Sequence, residues 1–302
     1  MKALTLYTIV LSCFLALALF IASSPTVLTK APANDYMDQD VRAIDINRPF
    51  SFAGEALPMD NFDVAQRLDK ELHINAFLHA SMILNIKRAN SLFPTIEKIL
   101  AEQGLPDDFK YLAVAESNLT NATSSAGAKG IWQFMKGTAQ QMGLEVNEEI
   151  DERFHLEKST EAACKFLKNL YKKHGSWSLV AAAYNQGGGR LTSDMEIQKM
   201  TNYYDLNFNL ETSRYLFRIV SIKDIMENPE AYGFYVKKEQ LYPPMDEYVN
   251  IAVEGPVPSW ADFAINNGIS YRMLKVYNPW ILGAVLTNKA KKTYLVRVPK
   301  KG

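Results

Sequence analysis

The stretch from Tyr111 to Met135 reads YLAVAESNLTNATSSAGAKGIWQFM, and it places a single carboxylate in apolar surroundings. Glu116 follows the apolar run 112–115 within a predicted helix, so the helix has little polar surface with which to turn this side chain toward water. An ionised carboxylate taken out of water loses several kcal/mol of hydration, so burial raises its pKa and keeps it protonated near neutral pH. A general acid must be protonated at that pH, and the stretch therefore predicts a catalytic acid at Glu116, with a solvated surface charge as the plainer alternative.

The second half of the stretch predicts a ligand-binding loop. Residues 124–130, SSAGAKG, are small and include two glycines, which permit tight turns and a close approach of the backbone to a ligand. Trp132 and Gln133 follow directly. Aromatic faces and amides suit the binding of sugars, so the loop and the acid together indicate a carbohydrate site.

The amino-acid composition excludes several classes of protein. The chain has 302 residues, 48% of them hydrophobic and 22% charged, which is typical of a folded protein with at least one full core. Its 33 basic and 33 acidic side chains cancel, so the net charge provides no field to attract nucleic acid. Two cysteines, Cys13 and Cys164, exclude a disulfide framework, and the four histidines lack metal-ligand spacing. We therefore expect neither a metal nor a cofactor.

The N-terminal residues predict export. Residues 3–22 carry no charge and follow Lys2, a pattern typical of a secretory signal peptide or an N-terminal membrane anchor, assigned here to residues 1–22. Pro25 disfavours cleavage after the best small-residue pair, so both alternatives stay open. The proline-containing residues 23–60 predict an extended tether over the domain surface.

Hydrophobic periodicity predicts a mainly helical chain with a small α+β unit at its C-terminal end. Helices are expected at 68–86, 94–103, 106–118, 159–174, 178–184, 211–227, 260–267 and 271–277, and strands at 232–236, 248–253 and 294–298. A boundary near Tyr242 divides a helical domain, 61–241, from the unit 242–302.

Four separated motifs occur in order along the helical part. They are Glu116-Ser117, GAKGIWQ at 127–133, AYNQG at 183–187 and ETSRY at 211–215. This series resembles the catalytic domain of the lytic murein transglycosylases of the soluble-transglycosylase (SLT) family, and most closely the membrane-bound lytic transglycosylase D branch. The resemblance extends from about residue 51 to about residue 228 and implies a lysozyme-like α-helical fold.

The resemblance also implies a reaction. Glu116 matches the single general acid/base that protonates the oxygen between N-acetylmuramic acid and N-acetylglucosamine and then accepts the proton of the muramoyl C6 hydroxyl. The product carries a 1,6-anhydro sugar, and no second carboxylate is needed because the nucleophile belongs to the substrate. The substrate-binding residues implied by the same match are Ser117, Gln133, Met135, Tyr184, Asn185 and Tyr215.

Several positions have a structural interpretation beside the functional one. Trp132 stands where Met is commoner in the family, and Lys136 where many members have Pro. Trp132 and Trp177 are candidates for ordinary core aromatics. Asn185 is a candidate helix end, Glu211 is expected to be structural, and a loop salt bridge is expected within 151–153.

The C-terminal unit has a weaker resemblance to a LysM module, with Tyr277-Asn278-Pro279 and the closing strand in similar places but no Gly-Asp start. LysM modules bind N-acetylglucosamine chains, so the resemblance implies glycan binding. A degenerate module packed on the catalytic domain is the equal alternative.

Together these features predict a periplasmic or cell-envelope enzyme acting on peptidoglycan glycan strands. The predicted enzyme is a monomer without a nucleic-acid partner, and it meets the membrane only if residues 1–22 are retained. A hydrolytic muramidase and a non-catalytic peptidoglycan-binding protein remain the alternatives. The sequence does not distinguish cleavage at chain ends from cleavage within chains.

Overall fold

A computed structural model describes residues 42–289 and 291–300 of the chain. The predicted signal or anchor at 1–22 lies outside these residues. In the part that is described, no helix combines the length and apolar character needed to cross a membrane. Residues Ile44–Gly302 form one compact unit.

The structure is mostly helical, with 55% helix and 10% strand. In chain order its elements are β1 (Ser51–Phe52), β2 (Glu55–Ala56), α1 (Phe62–Phe77), α2 (His79–Glu102), α3 (Phe109–Ser117), α4 (Lys136–Met142), α5 (Leu156–His174), α6 (Trp177–Gln186), α7 (Gly188–Gln198), α8 (Leu210–Glu227), β3 (Tyr248–Val253), α9 (Trp260–Asn266), α10 (Tyr271–Tyr277) and β4 (Tyr294–Pro299). Short 3-10 helices lie in several of the connections.

The main core surrounds helix α8. This helix packs against α1, α3 and α6, and its Leu216, Phe217 and Ile219 are fully buried. Leu112 and Val114 of α3 are fully buried as well. The apolar run before Glu116 therefore fixes α3 in the centre of the domain, which brings the end of α3 beside α8.

The first two helices differ from their prediction. The sequence predicts helices at 68–86 and 94–103, whereas α1 ends at Phe77 and α2 continues without a break from His79 to Glu102. Leu78 departs from helical geometry, with φ −79° and ψ 57°. Pro94 does not start a helix but lies inside α2. Pro94 lacks the backbone N–H that would donate one helical hydrogen bond. Burial of residues that follow it, such as Ile96, nevertheless favours continuation of the helix.

Residues 50–57 also differ from the predicted surface tether. Strands β1 and β2 form an antiparallel hairpin, and Phe52 is 1% exposed with its ring 5.3 Å from that of Phe109. Glu55 accepts hydrogen bonds from the backbone N–H groups of Trp177 and Ser178, the latter at 2.9 Å, so its carboxylate caps the start of α6. Tertiary burial of these aromatic residues overrides the proline-rich, weakly periodic pattern.

One further local prediction is wrong, and two helices were missed. The expected strand at 232–236 is absent from the described residues, because Pro229–Tyr232 form a 3-10 helix and irregular backbone follows. Helices α4 and α7 were not predicted: their short, polar sequences have little apolar periodicity. The remaining predicted helices, including α5, α6 and α8, are present with ends shifted by a few residues.

The C-terminal residues form the predicted strand-helix-helix-strand arrangement. Strands β3 and β4 pair antiparallel, with Tyr248 opposite Pro299 and Val253 opposite Tyr294. Helices α9 and α10 cover the sheet, and Trp260, Leu274 and Val296 are fully buried between these elements.

Candidate active site

Glu116 lies in the last turn of α3. The helix ends at Ser117, and Asn118 reverses the chain in the left-handed conformation, with φ 51° and ψ 36°. The hydroxyl of Tyr215, from α8, donates a hydrogen bond to Oε1 of Glu116. Tyr215 is 1% exposed, whereas Glu116 keeps part of its surface accessible. The carboxyl group is therefore held from one side and can be approached from another.

The electrostatic surroundings of Glu116 favour its protonated form. Burial raises its pKa to about 7, against the hydrogen bond from Tyr215 and the positive charge of Arg218, both of which lower it. The negative charge of Glu211 contributes in the same direction as burial. This agrees with the raised pKa predicted from the apolar run, since a carboxyl group that titrates near neutral pH can both give and take a proton there.

The hydroxyl of Ser117 holds a neighbouring loop. Its hydroxyl donates to the carbonyl oxygen of Ala113 at 3.1 Å and to that of Ile131 at 2.9 Å. The side chain is buried, with 6% exposed. Ser117 therefore ties the segment after Gly130 to the end of the acid-bearing helix, and substrate contact by Ser117 stays a prediction.

The loop 127–134 is fixed by an ion pair behind it. Asp151 and Arg153 form two hydrogen bonds, of 2.8 and 2.7 Å, and both side chains are almost fully buried, which confirms the predicted loop salt bridge. Arg153 also donates to the carbonyl oxygens of Gly127, at 3.3 Å, and of Phe134, at 3.1 Å. Sequence reasoning found the pair but missed its function as the support of this loop.

Gly130 allows the loop to lie against that support. Its φ is +80°, and a Cβ atom built on it would lie 1.9 Å from the carbonyl oxygen of Arg153. No side chain fits this space, so the glycine of the sequence motif is required by a close backbone approach.

Gln133 and Met135 lie at the end of the loop. Gln133 has φ +49°, and its amide nitrogen donates to the carbonyl oxygens of Gly130, at 2.7 Å, and Ala122, at 3.2 Å. Met135 is 48% exposed and precedes helix α4. Trp132, between the loop and α5, is fully buried and donates from Nε1 to Oγ1 of Thr160 at 2.9 Å, which confirms the interpretation as a core aromatic.

Tyr184 and Asn185 lie in the last turn of α6. The Tyr184 hydroxyl donates to the carbonyl oxygen of Trp132 at 2.6 Å, and burial together with the charge of Glu116 raises the pKa of Tyr184 well above its usual value. Asn185 accepts a hydrogen bond of 2.8 Å from the hydroxyl of Thr212 on α8. Thr212 was missed in the sequence, although it belongs to the ETSRY motif.

The structure thus brings Glu116, Ser117, Tyr184 and Tyr215 together around the ends of α3, α6 and α8. Asn185 follows Tyr184 in α6, and Gln133 follows Trp132 in the loop. Trp177 lies outside this group. It stacks on Tyr171 with 3.9 Å between ring centroids, and it packs against Phe109, the residue that also contacts Phe52 of the N-terminal hairpin.

A crevice of about 240 Å³ adjoins this group on the side of α1 and α2. Its walls include Ala115, Asn118 and Arg218. A larger cleft of about 380 Å³ lies between α1 and the segment 205–214, farther from the acid-bearing helix. In the described part of the chain, no three His, Cys, Asp or Glu side chains converge in a way that could hold a metal ion.

Comparison with known families matches two parts of the chain. Residues 94–207 match the family described as "Transglycosylase SLT domain", and residues 249–302 match the family described as "Soluble lytic transglycosylase C-terminal LysM-like domain". The first match contains Glu116, the loop 127–134 and the end of α6. The helical fold and this site therefore define a transglycosylase SLT domain followed by a LysM-like domain.

The curated relatives include membrane-bound lytic murein transglycosylase D from Escherichia coli strain K12 and from Escherichia coli O6:H1 strain CFT073. Each is 30% identical over 264 residues, which cover 83% of this chain and 56% of the relative. The chain thus spans about half the length of these relatives. A solved structure of an inactive mutant of the lytic transglycosylase Slt from Pseudomonas aeruginosa is 20% identical, with a TM-score of 0.39, over 50% of this chain and 26% of that one.

Residues 94–207 therefore match the transglycosylase SLT family, and 83% of the chain is similar to membrane-bound lytic murein transglycosylase D.

Proposed function

We propose that this protein is a peptidoglycan lytic transglycosylase that uses Glu116 as its single general acid/base. The observation that carries the proposal is the carboxyl group of Glu116, held by Tyr215 with a pKa of about 7, inside a domain of the transglycosylase SLT family. The sequence similarity to a murein transglycosylase supports peptidoglycan as the substrate.

The reaction begins with proton transfer from Glu116 to the oxygen of the β-1,4 bond between N-acetylmuramic acid and N-acetylglucosamine. The C1–O bond then breaks, and the bonding electrons leave with the protonated oxygen. The C6 hydroxyl of the same muramoyl residue attacks C1, and its proton passes to the Glu116 carboxylate. Glu116 ends as it began, and the product carries a 1,6-anhydro bridge without consumption of water.

The surrounding residues would position the carboxyl group and the sugar. Tyr215 orients Oε1 of Glu116, while Ser117 and Tyr184 hold the carbonyl groups of Ile131 and Trp132 in the adjacent loop. Gln133, Met135 and Asn185 are the proposed contacts to the glycan strand: Gln133 and Met135 lie at the end of the loop that Tyr184 holds, Asn185 follows Tyr184, and all three keep part of their surface accessible.

A hydrolytic muramidase would need a second carboxylate to activate water or to form a covalent intermediate. Among the described carboxylates, Glu211 acts electrostatically on Glu116, and it lies exposed in the first turn of α8. Glu211 is thus the residue whose removal tests this alternative, and we expect E211Q to retain the non-hydrolytic reaction.

The test is the mass of the products released from purified sacculi. We expect wild-type protein to release muropeptides with 1,6-anhydro ends, E116Q to release at least about a thousandfold less, and E239Q, which changes an exposed glutamate, to match the wild type. Hydrated reducing ends would instead identify a muramidase. Undiminished release by E116Q would rule out Glu116 as the acid, and sacculus binding without any product would identify a non-catalytic binding protein.

The same proposal places the protein in the cell envelope, as a monomer that binds peptidoglycan glycan strands. The relatives are named membrane-bound, and residues 1–22 of this chain are the proposed signal or anchor. We further propose the division into a catalytic domain at 61–241 and a LysM-like unit at 242–302.

A further inference from the structure

The C-terminal unit shares its core with the domain that carries Glu116. Ile150 precedes α5 in the chain but belongs to the buried cluster of the C-terminal unit, where it is 1% exposed. It also forms an antiparallel bridge with Ile281. A side chain of the catalytic domain thus completes the apolar core of the C-terminal unit.

Backbone hydrogen bonds reinforce this junction. The N–H of Asp151 donates to the carbonyl oxygen of Trp280 at 2.9 Å, and the N–H of Leu282 donates to the carbonyl oxygen of Glu149 at 2.8 Å. The Glu149 carboxylate accepts from the N–H of Thr287, also at 2.9 Å. The segment 149–151 is therefore paired with 280–282 like a short strand, which fixes its register as well as its position.

Ion pairs join both ends of segment 145–157 to the C-terminal unit. Glu145 accepts hydrogen bonds from Lys292, at 2.8 Å, and from the hydroxyl of Tyr294. At the other end, Arg297 of β4 donates to Glu157 in the first turn of α5. These contacts hold the whole segment 145–157 against the C-terminal unit.

The opposite side of that segment supports the active-site loop. Asp151 forms a backbone hydrogen bond with the C-terminal unit, while its carboxylate holds Arg153. Arg153 in turn holds the carbonyl oxygens of Gly127 and Phe134. Asp151, acting through Arg153, therefore connects the C-terminal unit to the loop that contacts Ser117 and Tyr184 beside Glu116.

We infer that the C-terminal unit is a positioning module for catalysis: by fixing segment 145–157 it sets the loop 127–134 against the Glu116 site. This inference rests on the proposed function and goes beyond glycan binding by the LysM-like unit. A module that only binds glycan would change substrate affinity, whereas a positioning module changes the rate at saturating substrate.

The experiment breaks the Arg297–Glu157 pair in the full chain. R297E places two carboxylates together, R297E/E157R restores an ion pair with exchanged charges, and R272E changes an exposed arginine of the same unit that lies outside the junction. The readouts are kcat and KM on soluble, uncrosslinked glycan strands, and hydrogen exchange at the amides of residues 127–134. Sacculus binding is measured in the E116Q background.

We expect R297E to lower kcat about tenfold or more, with KM and sacculus binding within about twofold of wild type, and to speed exchange at 127–134. The double variant should recover most of both effects, and R272E should show neither. Unchanged kcat and exchange in R297E, or a loss confined to KM and sacculus binding, would overturn the inference. Should R297E fail to fold, R297Q with R297K as its conservative partner tests the same point.

The two proposals fail in different ways. If wild-type protein makes no 1,6-anhydro product, the proposed function is wrong, and the hydrogen-exchange comparison still reports whether the C-terminal unit fixes the loop.

Discussion

At the scale of single residues, the decisive feature is a carboxyl group whose surroundings pull its pKa in opposite directions. Burial makes ionisation of Glu116 unfavourable, whereas Tyr215 and Arg218 favour its charged form. The balance brings the pKa to about 7. In the proposed mechanism Glu116 donates and then accepts a proton within one turnover, and such a group works best when its pKa lies near the working pH.

This balance predicts a pH dependence with a definite sign. The acid step needs protonated Glu116, so kcat/KM should fall as the pH rises through about 7. Removing the charge of Arg218 in R218Q raises the pKa of Glu116 and should move this descending limb to higher pH. Removing the charge of Glu211 in E211Q lowers the pKa and should move it to lower pH.

The measurement is kcat/KM from pH 5 to pH 9 at constant ionic strength, with E239Q as a control that makes the same charge change as E211Q at an exposed site. Limbs that move in the same direction for R218Q and E211Q would contradict the electrostatic account.

At the scale of elements, the structure shows a loop held by groups distant in sequence. Arg153 and Ser117 bind the carbonyl oxygens at 127, 131 and 134, so buried backbone acceptors are satisfied without regular secondary structure. Breaking the buried Asp151–Arg153 pair would cost about 3–5 kcal/mol, because it leaves an uncompensated charge. The backbone of loop 127–134 is irregular, but these hydrogen bonds fix its conformation.

Gly130 provides the test at this scale. We expect G130A to lower the free energy of unfolding by about 3 kcal/mol or more, since the new methyl group meets the Arg153 carbonyl at 1.9 Å and the backbone has φ +80°. The matched control is G137A in helix α4, where a Cβ atom meets nothing within 4 Å. It should raise stability by about 0.5–1 kcal/mol. Urea denaturation measures both, and equal effects of the two variants would rule out the proposed close approach.

At the scale of the whole molecule, the two family matches do not correspond to two independent cores. Ile150 and the partly buried Phe154 pack with Trp280 and Val296 of the C-terminal unit, and Phe50 and Phe52 from the N-terminal hairpin pack in the main core. In both cases a short segment of one part of the chain is buried in the core of another part. Residues from 44 onward are therefore expected to unfold together.

Calorimetry tests this expectation. We predict a single thermal transition for the full chain, with calorimetric and van't Hoff enthalpies that agree, and we expect I150A to lower the midpoint of that one transition. I265A, at an exposed position of α9, is the control and should leave the midpoint nearly unchanged. Two separate transitions would mean that the units fold independently.

The amino-acid sequence by itself determined the helical class, the C-terminal strand-helix-helix-strand unit and the apolar surroundings of the Glu116 carboxylate. These features depend on local patterns: apolar periodicity, a carboxylate after an apolar run, and motifs whose members are few residues apart. The raised pKa was predictable for the same reason, because the run 112–115 buries the helix end.

Only the tertiary structure decided which residues far apart in the sequence contact each other. The Glu55 cap on α6, the support of loop 127–134 by Arg153 and the insertion of Ile150 into the C-terminal core each join residues far apart in sequence. No periodicity encodes such contacts, since they arise when separate elements compete to bury apolar area and to satisfy buried polar groups. The same physical reason turned the expected tether at 50–57 into part of the core.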